Sequence, residues 1–179
     1  MATSDTVSAI VRQAQGRYRA GEYLAAAEQF RAAADVYRTN GDELSAAEML
    51  NNCSVALLKA GNAAGALQAA EGTNQVFSAA NDAHRQALAL GNLAAACEAC
   101  GDSQRALQLY RQSADLLKDT RDNELRAYVL GSLSALQLKH GAQLQSLATM
   151  QAALESKPKL SLIERLLKKI LQAPFHMMR

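Results

Sequence analysis

Proline and strand-forming sequence are both scarce in this chain. Of its 179 residues only two are proline, and both come after residue 157. Because proline interrupts helices and alanine favours them, a chain poor in proline and rich in alanine is expected to be helical. Runs that alternate apolar and polar residues, typical of strands, are missing as well. The sequence therefore predicts an all-α protein of about one domain's length.

Cysteine is too rare for a disulfide framework or an obvious metal site. The chain has three cysteines, an odd number, and Cys97 and Cys100 form a C-x-x-C spacing. That pair falls within a predicted helix and has no second pair of ligands nearby in the sequence. Cys53 and Cys97 occupy positions that are otherwise apolar in the repeat described below, so we interpret them as small core residues. We predict no metal and no cofactor.

An excess of one charge and long apolar runs are also missing. The chain carries 19 basic and 17 acidic residues, for a formal net charge of +2, and the basic residues are dispersed. This balance disfavours nucleic acid as a partner, since that function depends on clustered cations. No apolar stretch approaches the roughly 20 residues that cross a bilayer, and the chain does not open with a basic segment followed by an apolar run. We therefore expect a cytoplasmic protein with no transmembrane segment.

Sequence motifs of catalysis are absent. The chain has no glycine-rich phosphate loop after a strand, no serine nucleophile elbow and no carboxylate pair held at a fixed helical offset in a polar cluster. Carboxylates such as Glu28, Glu71 and Glu98 are spaced as on ordinary solvated helix faces. The sequence therefore predicts a protein that is not an enzyme.

What the sequence does contain is a repeat of 40 residues. Four glycines mark it, at positions 21, 61, 101 and 141, and other columns agree at the same interval. Agreement of whole columns at one fixed period is the signature of a helical-repeat array. The columns are Ile10, Leu50, Leu90 and Leu130; Ala14, Ser54, Ala94 and Ser134; Ala26, Ala66, Ala106 and Ser146; and, at the start of the later units, Asp42, Asp82 and Asp122.

Each unit is predicted to be a tight antiparallel pair of helices. Apolar residues recur at three- and four-residue steps on both sides of the glycine, as with Leu50, Cys53 and Leu57 before Gly61. Glycine accepts a positive φ at little steric cost, so it ends one helix, and Asn62 is a good N-cap for the next. The predicted helices cover about 5–20, 22–39, 43–60, 63–79, 83–100, 103–119, 123–140, 142–156 and 160–172.

These features resemble the tetratricopeptide repeats, with the longer period seen in kinesin light chains and G-protein-regulator scaffolds. The third unit carries the resemblance best, through Leu90, Leu93, Ala94, Gly101, Asp102, Ala106, Leu107 and Tyr110. The units span about 4–40, 43–80, 83–120 and 123–158, and an amphipathic segment, 159–179, follows them. The resemblance implies a right-handed α-solenoid of four hairpins closed by a C-terminal capping helix.

In that family the first helix of each hairpin lines a concave groove that binds peptides. The residue nine positions before each turn glycine reads Arg12, Asn52, Asn92 and Ser132. The matching position in peptide-binding members often carries an asparagine that holds the peptide backbone, so Asn52 and Asn92 are expected to form a ladder of amides. The alternative is that these two asparagines cap helices or bond between helices.

Further residues of the same predicted face complete the groove. They are Gln15 and Arg19 in the first unit, Glu48 and Lys59 in the second, Leu88 in the third, and Tyr128 and Lys139 in the fourth. The face is polar and net basic towards the N-terminal end. We therefore expect a scaffold or adaptor without catalytic activity that binds a peptide or protein segment, with acidic ligands favoured.

The segment 159–179 departs from the repeat and has three interpretations. Its apolar stripe comprises Leu160, Ile163, Leu166, Leu167, Ile170 and Leu171, opposite Arg165, Lys168 and Lys169. We favour a cap that covers the last hairpin of the array. The same helix is also suited to an anionic membrane surface. Docking on a second protomer is the third interpretation, and it would make the protein a self-assembling structural module and a homo-oligomer.

Overall fold

The computed structural model describes the backbone of residues 4–120 and 122–176, with side chains over 6–120 and 122–171. Every regular element in these ranges is an α-helix, which confirms the all-α prediction. The helices are α1 (Ser4–Arg19), α2 (Tyr23–Thr39), α3 (Glu43–Lys59), α4 (Ala63–Ala70), α5 (Thr73–Ala79), α6 (Ala83–Ala99), α7 (Ser103–Leu116), α8 (Asn123–Lys139), α9 (Gln143–Ser156) and α10 (Leu162–His176).

The turn glycines have the left-handed conformation that the repeat predicts. Gly21, Gly61, Gly101 and Gly141 have φ between +75° and +88°. At each of them the second residue of the turn donates a backbone hydrogen bond five residues back, a bond of the Schellman type. These bonds run from Glu22 to Arg17 at 3.0 Å, and from Asn62 to Leu57, Asp102 to Cys97 and Ala142 to Gln137 at 2.9 Å each.

Side-chain caps begin helices α3, α4, α6, α7 and α8, whereas α2 and α9 begin without one. At each cap a carboxylate or amide oxygen accepts a hydrogen bond from the backbone N–H three residues on, at 2.8–3.1 Å. Such a cap satisfies one of the four N–H groups that a helix leaves open at its start. The capping residues are Asp42, Asn62, Asp82, Asp102 and Asp122. Turns and caps together fix the chain at the same points in successive units.

The two columns of small residues are buried, as close helix crossing requires. Alanine or serine occupies every position of both columns, and none of these eight residues is more than 6% exposed. In the last hairpin the pair is Ser134 on α8 and Ser146 on α9, and each hydroxyl donates to the other residue's backbone carbonyl oxygen at 2.9 Å. Small side chains here let two helix backbones approach closely, where larger ones would force them apart.

The chain divides into two compact units, residues 1–109 and 110–179. In unit 1, α2 packs on both α1 and α3, while α3 contacts α4, α5 and α6. The main core cluster of this unit consists mostly of alanine, around the larger side chains Phe30, Met49, Cys53 and Leu57. Cys53 is therefore a core residue, as its repeat position predicts.

The helix predicted over residues 63–79 is in fact broken. It ends at Ala70 and resumes at Thr73, and Gly72 between them has φ +82°. The Thr73 hydroxyl donates to the carbonyl oxygen of Ala70 at 2.8 Å and lies 3.2 Å from the side-chain oxygen of buried Asn51 on α3. The break thus places a buried hydroxyl against α3. Apolar periodicity alone gives no sign of this tertiary contact.

Unit 2 contains the pair α8 and α9, followed by α10. Besides the serine pair, Arg126 on α8 donates to the hydroxyl of Ser156 at the end of α9, at 2.8 Å. Helix α10 contacts α9, yet most of its predicted apolar stripe is exposed: Ile163 is 80% exposed and Leu166 60%. The last three residues of the predicted terminal segment lie outside the described residues.

Candidate functional site

A groove of about 410 Å³ in unit 1 collects several of the predicted ligand-binding residues. Helix α1 contributes Gln15, Tyr18 and Arg19 to its lining, α2 contributes Phe30, and α3 contributes Asn52 and Val55. The first helices of the first two hairpins therefore line one cavity. We call it the unit 1 groove.

The lining of the unit 1 groove consists of two side-chain amides, one cation, and aromatic and aliphatic side chains. Within the described residues, no hydrogen bond occupies the side-chain amide of Gln15 or of Asn52. Phe30 is buried, and the Tyr18 ring packs edge-on against Tyr23 with centroids 5.4 Å apart. Each amide offers a donor and an acceptor, which matches the backbone of an extended peptide. No carboxylate is among the described lining residues, so the exposed Arg19 sets the charge of the groove.

A second groove, of about 660 Å³, lies within unit 2. Tyr128, Gly131, Ser132 and Ala135 line it from α8, and Met150, Ala153 and Leu154 from α9. Its rim carries the charged residues Glu124, Lys157, Lys159 and Glu164. Small residues on α8 leave the space, and apolar side chains of α9 form its floor. We call it the unit 2 groove, and its shape fits an apolar side chain better than a charged one.

Two of the predicted binding residues lie in the unit 2 groove. Tyr128 is 72% exposed at its edge. Ser132 donates its hydroxyl hydrogen back to the carbonyl oxygen of Tyr128 at 3.3 Å, a bond within one helical turn. On the rim, Lys157 and Glu164 form an ion pair at 2.5 Å.

The other predicted binding residues do not line either groove. Arg12, Lys59 and Lys139 are exposed, while Leu88 and Asn92 are half-buried on α6. Glu48 is exposed, and its carboxylate forms an ion pair with Arg85 on α6 at 3.5 Å.

The contacts of Arg85 link α6 to α3. Besides Glu48, the guanidinium bonds to Asp82 at 2.7 Å and lies over the Phe77 ring, 5.2 Å from its centroid. The negative charge of Glu48 is thus matched by a neighbour on α6, and its role is partly structural.

Sequence reasoning missed several residues of both grooves. Tyr18 and Val55 follow Gln15 and Asn52 by three positions, so helical periodicity was sufficient to include them. Phe30 comes from a second helix, and its approach to the groove depends on packing rather than on a local pattern. The same holds for Met150 and Leu154 of the unit 2 groove, and Lys159 lies beyond the predicted repeats.

The two cysteines of the C-x-x-C spacing lie in different environments. Cys97 is buried in α6, and burial raises the pKa of its thiol, which keeps it protonated and poorly nucleophilic. Cys100 is exposed at the end of the same helix. Among the described side chains, no three His, Cys, Asp or Glu residues lie close enough together to hold a metal ion.

Comparison with known proteins adds no assignment. A scan against protein-family models and a search of curated proteins find no match to this chain. In the part of the chain that the structure describes, no helix has both the length and the apolar character that crossing a bilayer takes.

Proposed function

We propose that this protein is a non-catalytic cytoplasmic adaptor that binds an acidic peptide segment. In this proposal the helical pairs form a right-handed solenoid of four tetratricopeptide-like hairpins, whose first helices line the concave face. The observation that carries the proposal is the unit 1 groove, where side chains from α1, α2 and α3 meet around one cavity.

The amides of the unit 1 groove supply recognition of a peptide backbone. Gln15 and Asn52 come from different helices, and neither side-chain amide bonds to another described residue. Asn51, the next residue along α3, is the one engaged between helices, through Thr73. This division of roles favours ligand contact for Asn52 over a purely structural role. Bonds to the backbone hold a peptide largely independently of its side chains.

Charge favours an acidic ligand over a basic one. Arg19 lines the groove, and Arg12 is exposed on the same helix. Glu48, the one predicted groove carboxylate, is paired with Arg85 and so opposes an acidic ligand less. Cations around a groove speed the encounter with an oppositely charged segment, and salt weakens this effect.

The first test replaces by alanine Asn52 of the unit 1 groove and Asn92, the second asparagine of the predicted amide ladder. A peptide array of acidic sequences selects a probe, and fluorescence anisotropy then compares wild type with N52A/N92A. We expect affinity to fall by about tenfold or more, equivalent to roughly 1.4 kcal/mol. Replacing exposed Asn123, at the start of α8, by alanine is the matched control and should leave binding unchanged.

Circular dichroism has to show that both variants remain folded, since Asn52 and Asn92 are only half-buried. A second comparison reverses the charges of Arg19 and Lys59 to glutamate, which should slow association and flatten its salt dependence. R111E/K118E, at two exposed positions, makes the same change in net charge and is the control. Equal capture by wild type and a folded N52A/N92A variant would rule out the groove as the binding site.

A further inference from the structure

Helix α10 presents an apolar face that no other part of the described chain covers. Leu162 is 82% exposed, Ile163 80%, Leu166 60% and Ile170 58%. At 100° per residue these side chains project from one side of the helix. Exposed apolar surface that is contiguous and bordered by charge is characteristic of a docking site.

Local interactions form α10 without help from this face. Ser161 and Glu164 make a reciprocal capping box, in which the Ser161 N–H donates to the Glu164 carboxylate at 2.9 Å and the Glu164 N–H donates to the Ser161 hydroxyl at 3.3 Å. Glu164 also pairs with Lys157 at the end of α9. The half-buried residues of α10, Glu164, Lys168 and Leu171, share the opposite edge of the helix. The helix is therefore anchored along one edge and free along its apolar face.

Positive charge is concentrated around this helix. Residues 157–171 carry five cations and one carboxylate, a formal net charge of +4, whereas the whole chain has only +2. Arg165 and Lys169 are both exposed beside the apolar face. A surface that complements α10 must therefore be apolar in depth and negatively charged at its boundary.

The α9 and α10 surfaces of a second copy of this chain do not offer that combination. The exposed leucines of α9, Leu144 and Leu147, have only glutamine, serine, alanine, threonine and methionine as neighbours over residues 143–151. These neighbours provide no carboxylate to pair with Arg165 or Lys169. Pairing α10 with another α10 would bring cations together.

We propose that α10 binds the surface of an anionic lipid bilayer. The helix lies parallel to the membrane plane, with Leu162, Ile163, Leu166 and Ile170 among the upper acyl chains. Arg165 and Lys169 reach the lipid phosphates and carboxylates at the boundary. With 15 residues, α10 is too short to span the bilayer and long enough for four turns at its surface.

The test is flotation of the full chain with lipid vesicles. We expect it to float with vesicles of phosphatidylcholine and phosphatidylserine at least tenfold more than with phosphatidylcholine alone, and added salt should reduce the bound fraction. L166E/I170E removes the apolar contact and R165E/K169E the charge contact, so each should abolish flotation. L144E/L147E on α9 and K118E/R111E, at exposed positions in and just after α7, are the matched controls and should float like wild type.

Size-exclusion chromatography with light scattering is run on the same samples, and circular dichroism confirms that each variant is folded. Failure of the wild type to float, or flotation of folded L166E/I170E at the wild-type level, overturns the proposal. A dimer that L166E/I170E dissociates, in a chain that does not bind vesicles, would assign the face to a second copy instead. Peptide binding in the unit 1 groove is measured separately, so either proposal can fail alone.

Discussion

Single hydroxyl groups distinguish positions that the repeat makes equivalent. Ser54 and Ser134 occupy the same column, 80 residues apart, and both are buried. Ser134 exchanges hydrogen bonds with Ser146, whereas the Ser54 hydroxyl has no partner among the described residues, and the residue equivalent to Ser146 in its repeat is Ala66. A buried hydroxyl without a partner costs desolvation energy, and a bonded one recovers it.

The two serines should therefore respond oppositely to alanine. We expect S134A to lower the free energy of unfolding by about 1 kcal/mol, because it leaves the Ser146 hydroxyl with one partner fewer. S54A should leave stability unchanged or raise it slightly. Urea unfolding of both variants measures the difference. Equal destabilisation would mean that the hydroxyl of Ser54 is bonded as well, for example to water.

At the scale of helices, the turns and caps made the fold predictable from sequence. The predicted helix boundaries agree with the structure to within a few residues because glycine, aspartate and asparagine recur at fixed points, and the bonds they make are local. The break at Gly72 was not predictable in this way. It depends on the Thr73 hydroxyl and buried Asn51, which come together only when α3 and α5 pack.

The difference between local patterns and contacts that form only on packing also explains how much of the candidate site could be predicted. Gln15, Arg19 and Asn52 followed from their repeat positions, and they line one groove. Phe30 could not be found, since a residue of a second helix reaches the groove only through the crossing angle of its hairpin. Two charged residues of the unit 2 groove, Lys159 and Glu164, lie after the last predicted repeat, where no periodicity applies.

Replacing Gly72 by alanine tests whether the break between α4 and α5 depends on glycine. Its φ of +82° is unfavourable for alanine, although nothing lies within 4 Å of the added methyl group. We expect G72A to lower stability by about 1 kcal/mol. Gly16 lies within α1, and there too nothing lies within 4 Å of an added methyl group. Because alanine favours helix more than glycine does, G16A should raise stability by about 0.5–1 kcal/mol. Thermal unfolding compares them, and a stabilising G72A would mean that α4 and α5 readily join into one helix.

At the scale of the whole molecule, acidic N-caps link stability to pH. The Arg85 N–H and guanidinium bonds lower the pKa of the Asp82 carboxyl below its usual 3.8, and bonds from Ser45 lower the pKa of Asp42 in the same way. A carboxyl whose pKa is depressed on folding contributes stability at pH values above its unfolded pKa. That contribution is lost as the pH falls through the folded value.

We therefore expect the free energy of unfolding to fall as the pH is lowered from about 5 to about 2.5, and D82N to reduce this dependence. Near neutral pH D82N should cost less than about 1 kcal/mol, since asparagine still caps the helix and the ion pair with Arg85 is near the surface. D119N, at an exposed position outside the helices, is the matched control for the loss of one carboxylate. If wild type and D82N lose stability in parallel, the acid sensitivity arises elsewhere.

The recurring turns also determine which deletions of the coding sequence the fold tolerates. Deleting the codons for residues 22–61 would join Gly21 directly to Asn62, and the new junction would retain a left-handed glycine followed by a capping side chain. Ala14 would then face Ala66, one buried alanine opposite another. A deletion of a different length would join positions that are not equivalent in the repeat. Recombination between equivalent codons can therefore lengthen or shorten the protein in steps of 40 residues, and the turn that anchors each helix pair is kept every time.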